Sequence, residues 1–145
     1  MLIGGAALDD PQLMEVVEGQ GGIIVSDTLC FGTRNFGTQI EESGGNPLDA
    51  IAKHYYNRNP CPRMQKQFPS RLRYTEDMAK GAKVDGVILE RIVFCDCHGV
   101  DAPMQAERLE EQGIPTLVLE REHALSDVGR LRTRVEAFLE RIARG

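Results

Sequence analysis

The sequence contains no tryptophan, and aromatic residues make up only 6% of it. It also has no apolar run approaching the ~20 residues that a bilayer-spanning helix needs. Gly86 to Leu89 and Ile92 to Phe94 are short and are separated by charge, so no membrane partner is expected. Basic charge is not in excess: 17 Lys and Arg stand against 22 Asp and Glu, a net of −5. A general nucleic-acid binder would show a basic stripe, so none is expected here either. Met1 runs straight into Leu2, Ile3 and Gly4 with no basic stretch ahead of an apolar one, so no secretory signal is expected and a cytoplasmic location is. Cysteine is sparse. Cys30, Cys61, Cys95 and Cys97 are the four, and in a reducing compartment they read as thiols or metal ligands rather than a disulfide frame.

Two catalytic signatures are missing as well. Gly4-Gly5-Ala6 is not continued as G-x-G-x-x-G, and Asp9-Asp10 follows where a phosphate would be repelled. No G-x-S-x-G elbow exists for a serine hydrolase.

What is present is ordinary globular material: 145 residues, 41% apolar and 27% charged. A chain of this length forms one domain and can bury ~70% of its unfolded surface. Strand and helix signals alternate. Leu2 to Gly4 reads as a first strand, and a helix is predicted to start at Asp9-Asp10-Pro11 and stop in the Gly19 to Gly22 cluster. Gly22 to Ser26, with Ile23, Ile24 and Val25, reads as a buried second strand. Residues 27–47 read as irregular, and Pro47 to Tyr56 and Phe68 to Lys80 as helices, the latter with Leu72 and Met78 facing in. Val84 to Leu89 is the strongest strand signal and is extendable to Phe94. A helix from Asp101 (the cap) to Gln112, a strand from Ile114 to Leu119, and a last helix capped by Ser126 or Asp127 complete the chain. Val128, Leu131, Val135, Phe138, Leu139 and Ile142 give that helix one apolar stripe.

Four strands, each followed by a helix, predict an α/β fold. It is a Rossmann-like parallel sheet in the order 2-1-3-4 with helices on both faces. In such a sheet the ligand crevice lies outside the carboxyl ends of the strands, where the order reverses. Gly4 to Leu8, Thr28 to Arg34 and Phe94 to His98 should therefore border one crevice.

Cys95, Cys97 and His98 are the sharpest local feature, since thiolate and imidazole are the ligands of soft metals. The spacing lacks the paired C-x-x-C of a zinc ribbon. If the chain stayed extended there, Cys95 and Cys97 would point the same way. Two small buried thiols at a strand end remain the alternative. Cys30, Gly32 and Arg34 follow the second strand. They offer a thiol, a flexible position and a guanidinium suited to a carboxylate or phosphate, or else a plain solvated loop. His54 and His123 stand alone and suggest surface or capping roles.

Segments Gly22 to Arg34, Tyr56 to Arg63, Val84 to His98, Gly113 to Glu120 and Val128 to Glu140, in this order and spacing, resemble one family. It is the 2-hydroxyacyl-CoA dehydratase and benzoyl-CoA reductase family, of the 2-hydroxyglutaryl-CoA dehydratase D-component type. The resemblance implies that residues 1–145 form a single Rossmann-like domain, the C-terminal half of a two-domain subunit. It implies a 4Fe–4S cluster in the complete enzyme, held by two cysteines of the preceding half and by Cys95. Where the family continues Cys-Asp-Pro-His, this chain has Cys97 in place of Pro, so Cys97 and His98 stand as alternative ligands. It further implies a homologous partner subunit, an ATP-dependent activator that delivers one electron, and an acyl-CoA substrate. That substrate is reduced to a ketyl-type radical before water elimination or ring reduction. Cys30, Gly32 and Arg34 would then line the substrate side of the crevice. With one family ligand present, the isolated chain is expected to be inactive and free of cluster. The competing reading is a standalone Rossmann-like module without catalysis, which binds zinc or docks a subunit.

Overall fold

The computed structural model describes residues 1–42, 45–124 and 126–144. Four strands, β1 (Leu2–Gly5), β2 (Ser26–Leu29), β3 (Val87–Ile92) and β4 (Thr116–Arg121), form one parallel sheet in the order β2-β1-β3-β4. The helices are α1 (Gln12–Gly19), α2 (Pro47–Asn57), α3 (Phe68–Gly81), α4 (Asp96–Glu111) and α5 (Val128–Arg144). The doubly covered parallel sheet is thus as expected, down to the strand order. Among the described residues no helix is long and apolar enough to cross a membrane.

Side-chain alternation along the strands divides the core. Ile3, Leu29, Ile88 and Leu119 face α1 and α5, where Leu13, Val17, Leu131, Val135 and Phe138 meet them. Leu2, Val87 and Leu89 face the other way, onto Ala79 of α3 and Ala102 and Leu109 of α4. Each fully buried Leu or Val contributes ~1.5–3 kcal/mol. The predicted α5 stripe, from Val128 to Ile142, lies wholly in the first cluster. Leu72 and Met78 of α3 pack against the second as expected, but Arg71, Thr75 and Ala79 are the buried residues of that helix. Helix α2 has no buried residue.

Several boundaries differ from the sequence reading, each for a physical reason. The second strand lies downstream of the apolar run Ile23 to Val25. The central strand β1 begins at Leu2, which pairs with Ser26, so the ladder starts only there. The Ile23 carbonyl accepts a hydrogen bond from the N-terminal ammonium at 2.7 Å, and the Ile23 side chain is 70% exposed. As an edge strand, β2 need not be apolar on both faces, and the rule for central parallel strands misplaces it. The third strand starts at Val87 because Val84 N–H still closes the end of α3 on the Ala79 carbonyl. It ends at Ile92, before Phe94 turns the chain with φ 65°. The fourth strand runs to Arg121, two residues beyond Leu119.

Helix α4 starts at Asp96 and not at Asp101, with Cys95 as its N-cap residue. Asp101 is therefore no cap; it is buried in the second turn. Pro103 lies inside the helix, leaving the Gly99 carbonyl without its helical donor. At α1 the N-cap residue is Pro11, with Asp10 one residue ahead of it bonding the first helical N–H, whereas Asp127 caps α5 as expected. Asp10 Oδ1 accepts from Gln12 N–H at 2.9 Å, and Asp127 Oδ1 accepts from Arg130 N–H at 3.2 Å.

Candidate functional site

The carboxyl ends of β1, β2 and β3 open on one crevice, at the point where strand order reverses. Its walls include Gly5 at the end of β1, Thr28 and Arg34 from and after β2, and Leu89, His98 and Asp101 from β3 and α4. The segment between α2 and α3 closes it through Asn59, Pro60 and Pro62. The crevice is open to solvent and has about 30 Å³ of room for water-sized occupants. Gly5 makes the close approach possible: its φ is +131°, and a Cβ there would lie 1.9 Å from the Glu90 carbonyl oxygen.

Asp27 builds the loop after β2. Its Oδ1 accepts from Leu29 N–H at 3.2 Å and Thr33 N–H at 2.9 Å, and its Oδ2 accepts from the Thr33 hydroxyl at 2.5 Å. Gly32 lies against this carboxylate; a Cβ would come 1.6 Å from Asp27 Oδ1. Gly32 thus serves the loop's fold, while Arg34 reaches the crevice wall. Asn35 donates to the Cys30 carbonyl at 2.7 Å and fixes the rest of the turn.

Cys30 Sγ and His98 Nε2 face each other at 3.7 Å, joining the loop after β2 to the first turn of α4. Burial pushes the Cys30 thiol up; Arg34 opposes this, and Cys61, Glu90 and Cys95 add to it. Burial also pulls His98 down, helped by Arg34 and Arg71 and opposed by Asp101. Both groups are therefore neutral near pH 7. Cys61 behaves oppositely. Burial works to raise it, but hydrogen bonds from Arg63, whose Nε lies 3.3 Å from Sγ, outweigh that and leave the thiol below its ordinary value.

Cys95 is half-buried at the α4 start, and its side chain makes no capping bond. Cys97 is also half-buried, in the first helical turn. Cys95 has extended dihedrals (φ −82°, ψ 97°) and Cys97 already lies in the helix, so the two do not form the extended pair expected. His98 turns toward Cys30. Among the described residues, no three Cys, His, Asp or Glu side chains converge to hold a metal ion.

Sequence reasoning missed the buried polar floor. Arg71 of α3 donates to Asp101 Oδ1 through Nε at 3.0 Å and Nη2 at 2.5 Å. Its Nη1 donates to the carbonyl of Met64 at 2.8 Å and to that of Cys61 at 3.4 Å. Gln105 donates to Asp101 Oδ2 at 2.6 Å and accepts from the Thr75 hydroxyl at 2.9 Å. The available signal was Arg71 and Thr75 falling on the inward face of α3, four residues apart. On the opposite face of the sheet, Arg121 Nε donates to Glu90 Oε2 at 2.8 Å, and both side chains are essentially inaccessible. Arg121 also holds the carbonyls of Ala7, Glu122 and His123. Glu90 Oε1 has no partner. Burial drives this carboxyl up to about 7 despite Arg121.

The chain is 30% identical over 136 residues to the beta subunit of (R)-phenyllactyl-CoA dehydratase from Clostridium sporogenes, covering 94% of this chain and 36% of that one. It is 24% identical over 142 residues to lactoyl-CoA dehydratase subunit beta from Anaerotignum propionicum, covering 97% and 37%. It is 31% identical over 140 residues to the putative dehydratase subunit YjiM of Escherichia coli strain K12, covering 95% and 35%. The chain thus spans about a third of the length of the curated relatives it matches. The profile of the family described as 2-hydroxyglutaryl-CoA dehydratase, D-component, matches residues 1–142, and the chain belongs to that family.

Proposed function

We propose that this chain is the C-terminal domain of a subunit of an iron–sulfur 2-hydroxyacyl-CoA dehydratase, and that Cys95 supplies one thiolate ligand to a 4Fe–4S cluster. The observation that carries this reading is the position of Cys95. It is half-buried at the uncapped start of α4, in the turn that follows β3, on the same helical turn as His98, which lines the crevice. A thiol in that position is accessible to a cluster approaching from outside the sheet. The donor set fits a single contribution. Cys30 is engaged with His98 and is kept protonated by burial, and Cys61 is engaged with Arg63. The remaining ligands would come from the other half of the subunit.

When bound, the cluster would supply the low-potential electron for dehydration of the acyl-CoA, delivered by an ATP-dependent activator. This chain's residues have other tasks. His98 and Cys30, 3.7 Å apart and both neutral, join the loop after β2 to the start of α4. The Arg71–Asp101–Gln105 floor keeps α3, α4 and the 61–64 segment in register around Cys95. Leu89 and Ala102 exclude water from below. Arg34 supplies positive charge on the crevice wall, as the anchor for an anionic part of the substrate. The relatives' names favour dehydration of a 2-hydroxyacyl-CoA over aromatic-ring reduction.

The test is anaerobic reconstitution of the chain with the remainder of the subunit, its partner subunit and the activator. Iron and sulfide content, the electron paramagnetic resonance of the reduced protein and hydration–dehydration of 2-hydroxyacyl-CoA substrates are then measured. Cys95→Ser should lower iron in this subunit and alter its resonance, whereas Cys97→Ser should leave both unchanged. A Cys95→Ser protein with full iron and an unaltered resonance would refute the assignment. Tight zinc at one per isolated chain would favour the metal-binding module instead.

A further inference from the structure

Helix α2 lies on the domain by its small and polar side and presents its apolar side to solvent. Its half-buried positions are Ala50 and His54, one turn apart, followed four residues on by the half-buried Arg58. Arg58 Nη1 donates to Asn35 Oδ1 at 3.0 Å, which fastens the end of the helix to the loop after β2. The apolar residues Leu48, Ile51, Ala52 and Tyr55 recur at i, i+3, i+4 and i+7, the spacing of a core-facing stripe. All four are exposed, Leu48 at 72% and Tyr55 at 55%, and Tyr56 beside them is 90% exposed. The other four helices each bury part of their apolar face; α2 buries none of its residues. A helix of 11 residues is marginal in water when nothing covers its apolar face. An exposed apolar stripe of this kind marks an interaction surface.

The charges beside the stripe indicate what covers it. Asp49 stands in the first turn of α2 and Lys53 one turn later, both exposed and on the same side of the helix. Two such helices packed antiparallel about Ile51 bring Asp49 of each toward Lys53 of the other. The same packing closes Leu48 of one helix on the Tyr55 end of the other and sets the two helix dipoles in opposition. A parallel packing aligns the dipoles and makes no such cross-pairs. Lys53 bonds Glu41 at 3.3 Å within the chain, but both side chains are largely exposed, so that pair is weak and leaves Lys53 free to turn.

We infer that α2 is the contact between two copies of this chain, paired antiparallel about a two-fold axis near Ile51. The surface is isologous: each copy offers the same stripe and the same two charges. The stripe is only ~16 Å long, far short of an obligate interface, so the dimer is reversible. This contact is independent of the dehydratase reading.

The test is sedimentation equilibrium of the 145-residue chain from about 1 μM to about 1 mM, with amide hydrogen exchange of α2 at both ends of that range. A reversible dimer is expected, with the α2 amides protected only where the dimer is populated. Leu48→Glu should abolish it. That side chain is exposed and an acid suits the first turn of a helix, so the variant keeps the fold, as circular dichroism checks. Asp49→Lys and Lys53→Asp should each weaken the dimer by about tenfold, because each loses both cross-pairs and sets like charges together. An equimolar mixture of these two single variants restores opposite charges across the contact and should form a mixed dimer tighter than either variant alone. A chain that stays monomeric throughout, a dimer indifferent to Leu48→Glu, or a mixture no tighter than its components would overturn the inference. If the chain alone is monomeric and α2 gains protection only when the remainder of the subunit or its partner subunit is added, the second copy is refuted and the stripe belongs to that protein.

Discussion

Glu90 offers a quantitative check on the buried charges beside the crevice. Its carboxyl rises from an ordinary 4.5 to about 7, chiefly because burial disfavours the charged form; Arg121 and the Ala6 N–H oppose this, and Asp10 adds to it. The folded state therefore holds a proton on Glu90 that the unfolded chain releases near pH 4.5. Between the two values the native state binds more protons, so this group lowers stability as pH rises. Its contribution is fully present below about pH 4.5 and is lost by the time pH has passed about 7. At roughly 1.4 kcal/mol per pH unit the complete change is about 3 kcal/mol, most of it falling between about pH 5 and about pH 8. Glu90→Gln removes the titration and nearly preserves the volume. It also leaves Arg121 without its carboxylate, but that penalty is constant over this range because the guanidinium stays charged. Urea unfolding of both proteins across the range gives the difference between their stabilities. That difference should shift toward the Gln variant by about 2–3 kcal/mol as pH rises. Other carboxylates and histidines cancel in the subtraction. Two parallel stability curves would refute the burial of an incompletely partnered carboxylate at this position.

Asp101→Ala should destabilise the chain by ~3–5 kcal/mol in chemical denaturation, because it strands the Arg71 guanidinium, only 5% exposed, in the interior; a loss below ~1 kcal/mol would mean the pair is solvated. Gly5→Ala should cost ~2–4 kcal/mol, since φ +131° and a 1.9 Å approach to the Glu90 carbonyl leave no room for a methyl group; a melting temperature equal to wild type would contradict the close β1–β3 approach. With iodoacetamide at neutral pH, mass spectrometry should find Cys61 alkylated before Cys30, because Arg63 lowers the first thiol and burial raises the second. The reverse order would count against both environments, and Arg63→Gln should slow Cys61.

Much of the fold was legible because local signals agreed with it. The α5 stripe repeats at helical spacing, Asp10 and Asp127 accept from first-turn N–H groups as short acceptor side chains should, and strand–helix alternation permits few topologies. Where local signals misled, a long-range partner had decided the matter. Ile23 to Val25 has the composition of a strand, but β1 begins at Leu2 and fixes the ladder at Ser26. Asp101 and Pro103 look like a helix start, but Phe94 turns the chain at φ 65° and α4 begins at Asp96. Residues after β1, β2 and β3 meet at one crevice, as the strand order dictates. Which of them touch was not legible. That Cys30 would take His98, leaving Cys95 with no capping bond, depends on side-chain directions across 68 residues of separation.

The buried polar floor explains why the crevice end of the sheet is the sensitive end of this molecule. At the opposite end the charged contacts are more exposed: the Met1 ammonium on the Ile23 carbonyl, and Glu110 between Thr116 N–H and Arg141. At the carboxyl ends of the strands the chain instead buries two ion pairs on opposite faces, Arg71–Asp101 and Glu90–Arg121. Each reaches beyond its partner to hold backbone carbonyls of neighbouring loops: Cys61 and Met64 in one case, Ala7, Glu122 and His123 in the other. Such pairs add little net stability over an apolar replacement. They do fix direction, because a guanidinium satisfied by a carboxylate and several carbonyls tolerates few loop conformations. The segments at 61–64, 7 and 122–123 are thus held by directional polar contacts as well as by burial. Replacing either pair with apolar residues of similar volume should therefore preserve folding while loosening the placement of Cys30, Arg34 and Cys61 around the crevice.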